Sequence, residues 1–91
     1  MVFPYFVYVV LCEGDTYYTG HAKDVEKRIR QHLNGGGARY TRMHKPKRLV
    51  YVEEFATRRA AMKREKEIKR LSHDEKRKLA TSNLSVCSEI I

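Results

Sequence analysis

The sequence has no tryptophan, only two prolines and only two cysteines, Cys12 and Cys87. Two cysteines without close partners exclude a disulfide framework and suit a reducing compartment. The four histidines, His21, His32, His44 and His73, lack C-x-x-C or H-x-x-x-H company, so the ligand spacing of a structural zinc site is missing. Long hydrophobic runs are missing too. The apolar stretch Phe3–Cys12 is too short to cross a bilayer, no basic region precedes it, and no small-residue cleavage site follows it. The expectation is a soluble, cytoplasmic protein with no membrane partner. Acidic residues are scarce: 11 Asp and Glu stand against 19 Lys and Arg, for a net charge of +8. A chain of 91 residues excludes two-domain machines and large barrels, and no internal repeat or linker interrupts it.

What is present fits a globular domain, with 42% hydrophobic and 33% charged residues. A domain this small and this basic meets something anionic, and nucleic acid leads the candidates. The charge is uneven. Residues 1–20 carry no Lys or Arg, whereas residues 21–48 carry nine basic and two acidic residues. Within that span lie Gly35-Gly36-Gly37 and, beyond them, Arg39, Tyr40, Arg42, Lys45, Lys47 and Arg48. Glycines let the backbone approach a phosphate, and Tyr40 can stack on a base. Arg39, Tyr40, Arg42, Lys45 and Lys47 are therefore candidate nucleic-acid contacts; a solvated loop is the plainer account.

Tyr5–Cys12 is apolar, β-branched and aromatic, and reads as a strand buried on both faces. Glu13-Gly14-Asp15 signals a turn and Thr16–His21 a second strand, together a hairpin. Asp24 caps a helix with the apolar stripe Val25, Ile29 and Leu33, stopped by Asn34 and the glycines. Leu49–Phe55 is a third strand after a turn around Pro46. Thr57 caps a helix to about Leu71, and Ser72-His73-Asp74-Glu75 is a capping box that opens a short helix to about Ala80. The order β-β-α-β-α-α predicts an α+β domain, a small three-stranded, mostly antiparallel sheet flanked by helices. The domain spans residues 1–82, and residues 83–91 form a C-terminal tail.

Several polar residues stand where a pure core would not place them. Tyr8 lies mid-strand, its plain role a core aromatic with the hydroxyl bonded near the surface. Tyr17 and Tyr18 face opposite sides, so only one can join Tyr8. Arg28 and His32, four apart, flank the helix stripe. At 100° per residue, Glu65 falls on the apolar side with Ala61, Met62 and Ile68, whereas Glu67 falls on the far side. A carboxylate there needs a partner, either Lys69 one turn on or a divalent cation held with waters and phosphate.

Phe6-Val7-Tyr8, nine residues, then Tyr18-Thr19-Gly20 resembles the paired motif of the GIY-YIG nuclease superfamily. The likeness continues through Asp24–His32, Gly35–Arg42 and Ala60–Lys69. It points to the small stand-alone branch of that family and covers residues 5 to about 80. The resemblance implies a three-stranded antiparallel sheet flanked by helices, and metal-dependent phosphodiester hydrolysis of the kind found in DNA-repair nucleases and homing endonucleases. By it the motif tyrosines are Tyr8 and Tyr18, the helix arginine is Arg28, the helix histidine is His32, and the carboxylate for Mg²⁺ or Mn²⁺ is Glu65. His21 and Asn83 are accessory, His21 standing where relatives carry a lysine that helps activate the tyrosine. Phe6, Val7 and Thr19 depart from the motif's glycine and isoleucines without removing either hydroxyl.

The expected activity is that of a metal-dependent endonuclease on DNA, including branched, damaged or single-stranded DNA, and on RNA less than DNA. Arg28 would stabilise charge on the phosphate through forked hydrogen bonds, and Tyr18 or His32 would take the proton from water. The competing expectation is a nucleic-acid-binding module of the same fold without turnover. A third, an adaptor for an acidic protein, accounts for the charge but not for Arg28 and Glu65.

Overall fold

Eight consecutive residues, Tyr5–Cys12, form the strand β1, and Thr16–Ala22 return beside it as β2. The reversal uses Gly14 at φ +80° and Asp15 at φ +57°, values that glycine adopts freely and aspartate tolerates. A third strand, β3 (Pro46–Phe55), pairs with the other edge of β1. The sheet is antiparallel throughout, in the order β2-β1-β3. A computed structural model of the protein describes residues 4–34 and 43–81.

Three helices are present among the described residues: α1 (Val25–Leu33), α2 (Arg58–Lys69) and α3 (His73–Thr81). Each begins at the cap its sequence announces. Asp24 accepts from the Lys27 N–H at 3.1 Å and Thr57 Oγ1 from the Ala60 N–H at 3.2 Å. Ser72 and Glu75 exchange two bonds, Ser72 Oγ accepting at 3.2 Å and Glu75 Oε1 at 2.9 Å, a complete capping box.

Alternate residues of β1 build two separate cores. Val7 and Val9 pack with Val50, Tyr51, Ala61, Ile68 and Ala80 under α2 and α3. Tyr8, Val10 and Cys12 pack with Ile29 and Leu49 under α1. β1 is buried on both faces, as its composition predicts.

The structure corrects the expectations at Pro46, at His32 and Leu33, and at Met62, and adds an irregularity in the β1–β3 ladder. Pro46 is the first residue of β3, not part of a turn before Leu49; it lies on an edge strand, where its missing N–H does no harm. The β1–β3 ladder shifts register between Val9 and Val10 and again between Leu11 and Cys12, so the extra residue Val50 joins Tyr51 in one core. On α1 the stripe member Leu33 is 37% exposed while His32 is 2% exposed. His32 therefore belongs to the core rather than its flank. Met62 is likewise 38% exposed rather than apolar core.

Candidate active site

Tyr8 is paired across the ladder with Gly20, and that pairing shapes the site. A Cβ at position 20 would stand 2.6 Å from the Tyr8 Oη, 2.8 Å from its Cζ and 3.2 Å from the Tyr18 ring. The glycine leaves room for the Tyr8 phenol to lie across β2. Its hydroxyl is 3.1 Å from His32 Nε2. Tyr18, two residues before Gly20, faces the same side. Its ring centroid is 5.1 Å from that of His32 and 6.3 Å from that of Tyr8. Tyr8 is 1% exposed and His32 2%, while Tyr18 is partly exposed. Tyr18 thus presents the trio to solvent, and the Tyr8 hydroxyl is bonded deep in the core rather than near the surface.

Arg28 stands one turn before His32 on α1, partly buried, with Nη1 donating to Gln31 Oε1 at 3.0 Å. Burial, and then the neighbouring Tyr18, push the Tyr8 pKa up to about 12, although Arg28 pulls against them. Burial and the Arg28 charge hold His32 below the ordinary histidine range. At neutral pH both partners are uncharged, a phenol bonded to a neutral imidazole.

Glu65 reaches the site from the other layer. It projects from α2, whose Ala61 and Ile68 are fully buried beneath the sheet, and meets His21 on the edge strand β2. Glu65 Oε1 is 2.5 Å from His21 Nδ1, and Oε2 accepts from Lys69 Nζ at 2.6 Å. The side chain is 16% exposed. Burial pushes its pKa up, but Lys69 and His21 outweigh burial and hold the carboxyl below the usual carboxylate range. The negative charge is also felt at the Tyr8 phenol. Glu67, by contrast, is 51% exposed and pairs with Arg64 at 3.3 Å, as the helix periodicity predicts.

Tyr8, Tyr18, Arg28 and His32 therefore stand together on the α1 side of the sheet. Glu65 stands on the α2 side and meets the β2 edge at His21, a contact between residues 44 apart in sequence that no local pattern announces, and it bears on the group through its charge at Tyr8. Lys45 and Lys47 are exposed at the start of β3. There the Lys45 carbonyl accepts from the Glu13 N–H at 2.9 Å, beside the β1–β2 turn. Pro46 pairs with Cys12, four residues and about 13 Å along the strand from Tyr8, so the structure does not bring these lysines to the cluster. Arg39, Tyr40, Arg42 and Asn83 lie outside the described residues. Among the described residues no group of three or more His, Cys, Asp or Glu can hold a metal ion, and no helix is long and apolar enough to cross a membrane.

Comparison with known proteins bears on the family and the fold. A UPF0213 protein of Staphylococcus saprophyticus is 51% identical over 75 residues, 82% of this chain and 92% of that protein. One from Haloquadratum walsbyi is 44% identical over 82 residues, covering 90% of this chain and 92% of that protein. The solution structure of a UPF0213 protein from Bacillus halodurans is 40% identical, with a TM-score of 0.54 over 86% of this chain and 83% of that one. The GIY-YIG catalytic domain matches residues 4–79, the span that holds β1 through most of α3. With that match over most of its length, the chain belongs to the GIY-YIG family, a family of nucleases that act on DNA and generally depend on a divalent metal.

Proposed function

We propose that the protein is a metal-dependent endonuclease that hydrolyses phosphodiester bonds of DNA. The observation that carries the reading is Glu65: a carboxylate kept ionised in a largely covered position, whose charge reaches the Tyr8 phenol and so the group that Tyr8 forms with Tyr18, Arg28 and His32. One carboxylate with waters and substrate phosphate is ordinary Mg²⁺ ligation, so the donor set fits Mg²⁺ or Mn²⁺, provided Lys69 or His21 yields an oxygen. A divalent cation on Glu65 would neutralise the phosphate and favour departure of the leaving oxygen.

The chain's own groups divide the remaining work. Arg28 offers its guanidinium fork to the non-bridging phosphate oxygens, where charge grows as water attacks phosphorus. Tyr18 is the member of the trio open to solvent; as a phenolate, its own proton given up to solvent, it would be the group that takes the proton from the attacking water. His32 and Tyr8 are covered and bonded to each other; they fix the Tyr18 ring and are positioning residues. His21 and Lys69 hold the Glu65 carboxylate in place until metal arrives.

One observation favours the second reading, a nucleic-acid-binding module of the same fold: both Glu65 oxygens are already engaged by basic side chains. Incubating plasmid and branched DNA with the protein in Mg²⁺ or Mn²⁺, with an EDTA control, separates the two. The nuclease reading expects metal-dependent strand breaks, lost in Glu65→Gln and kept in Glu67→Gln, with DNA affinity in EDTA equal in all three proteins. Binding without breaks in the wild type leaves the binding module.

A further inference from the structure

The basic side chains of α2 fall into two groups. Arg64 is paired with Glu53 and Glu67, and Lys69 with Glu65. Arg58, Arg59, Lys63 and Lys66 make no ion pair among the described residues. These four line, with the half-exposed Met62, an open hollow of about 730 Å³. No carboxylate lines it. A second hollow, of about 270 Å³, is lined by Tyr5, His21, Ala22, Lys23 and Arg58, with Lys23 Nζ 5.3 Å from the centre of the Tyr5 ring. Arg58 belongs to both hollows, and His21 touches Glu65. A positive trough therefore runs from the Glu65 carboxylate past His21 and Arg58 and along α2 to Lys66.

Like charges three and four apart on one helix face oppose helix formation. Here Arg59, Lys63 and Lys66 are so spaced and none of them is ion-paired among the described residues, although Lys63 also borders the hollow that holds Glu53 and Glu67. An extended anion relieves that repulsion. Residues 58 to 66 rise about 12 Å along the helix, the axial length of three to four phosphates of one strand at about 3.4 Å each.

We propose that this face of α2 is the track along which the phosphate backbone of a nucleic acid runs into the Glu65 site. The direction of the track rests on the nuclease reading; the binding does not. The surface differs from the segment after the glycines, whose Lys45, Lys47 and Arg48 lie exposed at the other end of the sheet.

The test measures binding of a labelled DNA duplex by fluorescence anisotropy, in EDTA, over a range of salt concentrations. Two triple variants remove the same charge: Arg59→Gln/Lys63→Gln/Lys66→Gln on α2, and Lys45→Gln/Lys47→Gln/Arg48→Gln at the start of β3. All six positions are exposed, and circular dichroism verifies the fold of each variant. Each lost phosphate contact lowers the log–log salt slope by about 0.9 on duplex DNA. The α2 variant is expected to lose two to three units of slope and the β3 variant less than one. An unchanged slope in the α2 variant, an equal loss in both, or a wild type that binds no duplex overturns the track. Because cutting is not measured, absence of turnover would sink the nuclease reading and leave this result standing.

Discussion

Gly20 is small because Tyr8 needs the space. The phenol lies across the strand where any side chain would stand, 2.6 Å from where a Cβ would be, and Tyr8 is walled in by Val10, Ile29 and Leu49. Gly20→Ala forces the ring off its seat. The expected cost is about 1–3 kcal/mol, the usual range for overpacking, together with loss of the Tyr8–His32 bond. Urea unfolding reads the first, and the near-ultraviolet dichroism of the tyrosines reads the second. A fully stable Gly20→Ala protein would mean that Tyr8 has another place to go.

His32 makes the same cluster sensitive to pH. Its folded pKa is depressed, by burial first and by Arg28 second, so the unfolded chain takes up its proton sooner than the native one. Stability from the buried neutral ring is complete above the ordinary histidine value of about 6.5 and falls as pH drops below it, until the folded pKa is passed. The slope from one proton is at most about 1.4 kcal/mol per pH unit. Urea midpoints at pH 7.5 and pH 5.5 should separate more in the wild type than in His32→Gln; equal separations would assign the acid sensitivity to other groups. The position of His32 was within reach of the sequence. With Val25 set at 0° on α1, Ile29 falls at about 40°, His32 at about −20° and Leu33 at about 80°. The centre of the buried face is thus nearer to His32 than to Leu33, and counting apolar residues alone pointed to the wrong one. The His21–Glu65 contact is different in kind. Strand and helix bring it together only after the fold is made.

At the scale of elements, boundaries written in side-chain chemistry were legible and those written in backbone geometry were not. Asp24, Thr57 and the Ser72–Glu75 pair cap the helices they announce. The start of β3 was hidden, because Lys47 and Arg48 are exposed and Pro46 looks like a turn residue. The register shift at Val50 was also hidden, since Leu49, Val50 and Tyr51 are all buried and no alternation survives in the letters. The cap of α2 affords a clean measurement. Thr57→Ala removes the bond to the Ala60 N–H and should cost about 1 kcal/mol, lowering Tm by about 4–8 °C in a domain of this size. Buried Ala61 and Ile68 keep α2 on the sheet, so the urea m-value and the cleavage rate at 25 °C should not change. A fall in cleavage without a fall in Tm would show the cap acting on Glu65 rather than on the helix.

At the scale of the molecule, the candidate site draws on both layers at once. The tyrosines, His32 and Arg28 belong to the α1 face, and Glu65 belongs to the α2 face. Among the described residues the element common to both cores is the sheet, and above all β1, whose Val7 and Val9 face one way and Tyr8 and Val10 the other. Neither layer can loosen without exposing one side of that strand. β1 is flanked on both edges by hydrogen-bonded partners, so it cannot shift toward one face alone. Unfolding is therefore expected as one cooperative transition. Helix content by far-ultraviolet dichroism, tyrosine packing by near-ultraviolet dichroism and metal-dependent DNA cleavage should all be lost at the same urea concentration. Tyr8 and Tyr18 report the α1 face, and Tyr17 and Tyr51 report the other, so the near-ultraviolet signal samples both. If cleavage ended at a lower urea concentration than the helix signal, Glu65 would be detaching from the edge of β2 while the rest of the fold held, and the two-layer account of the site would fail.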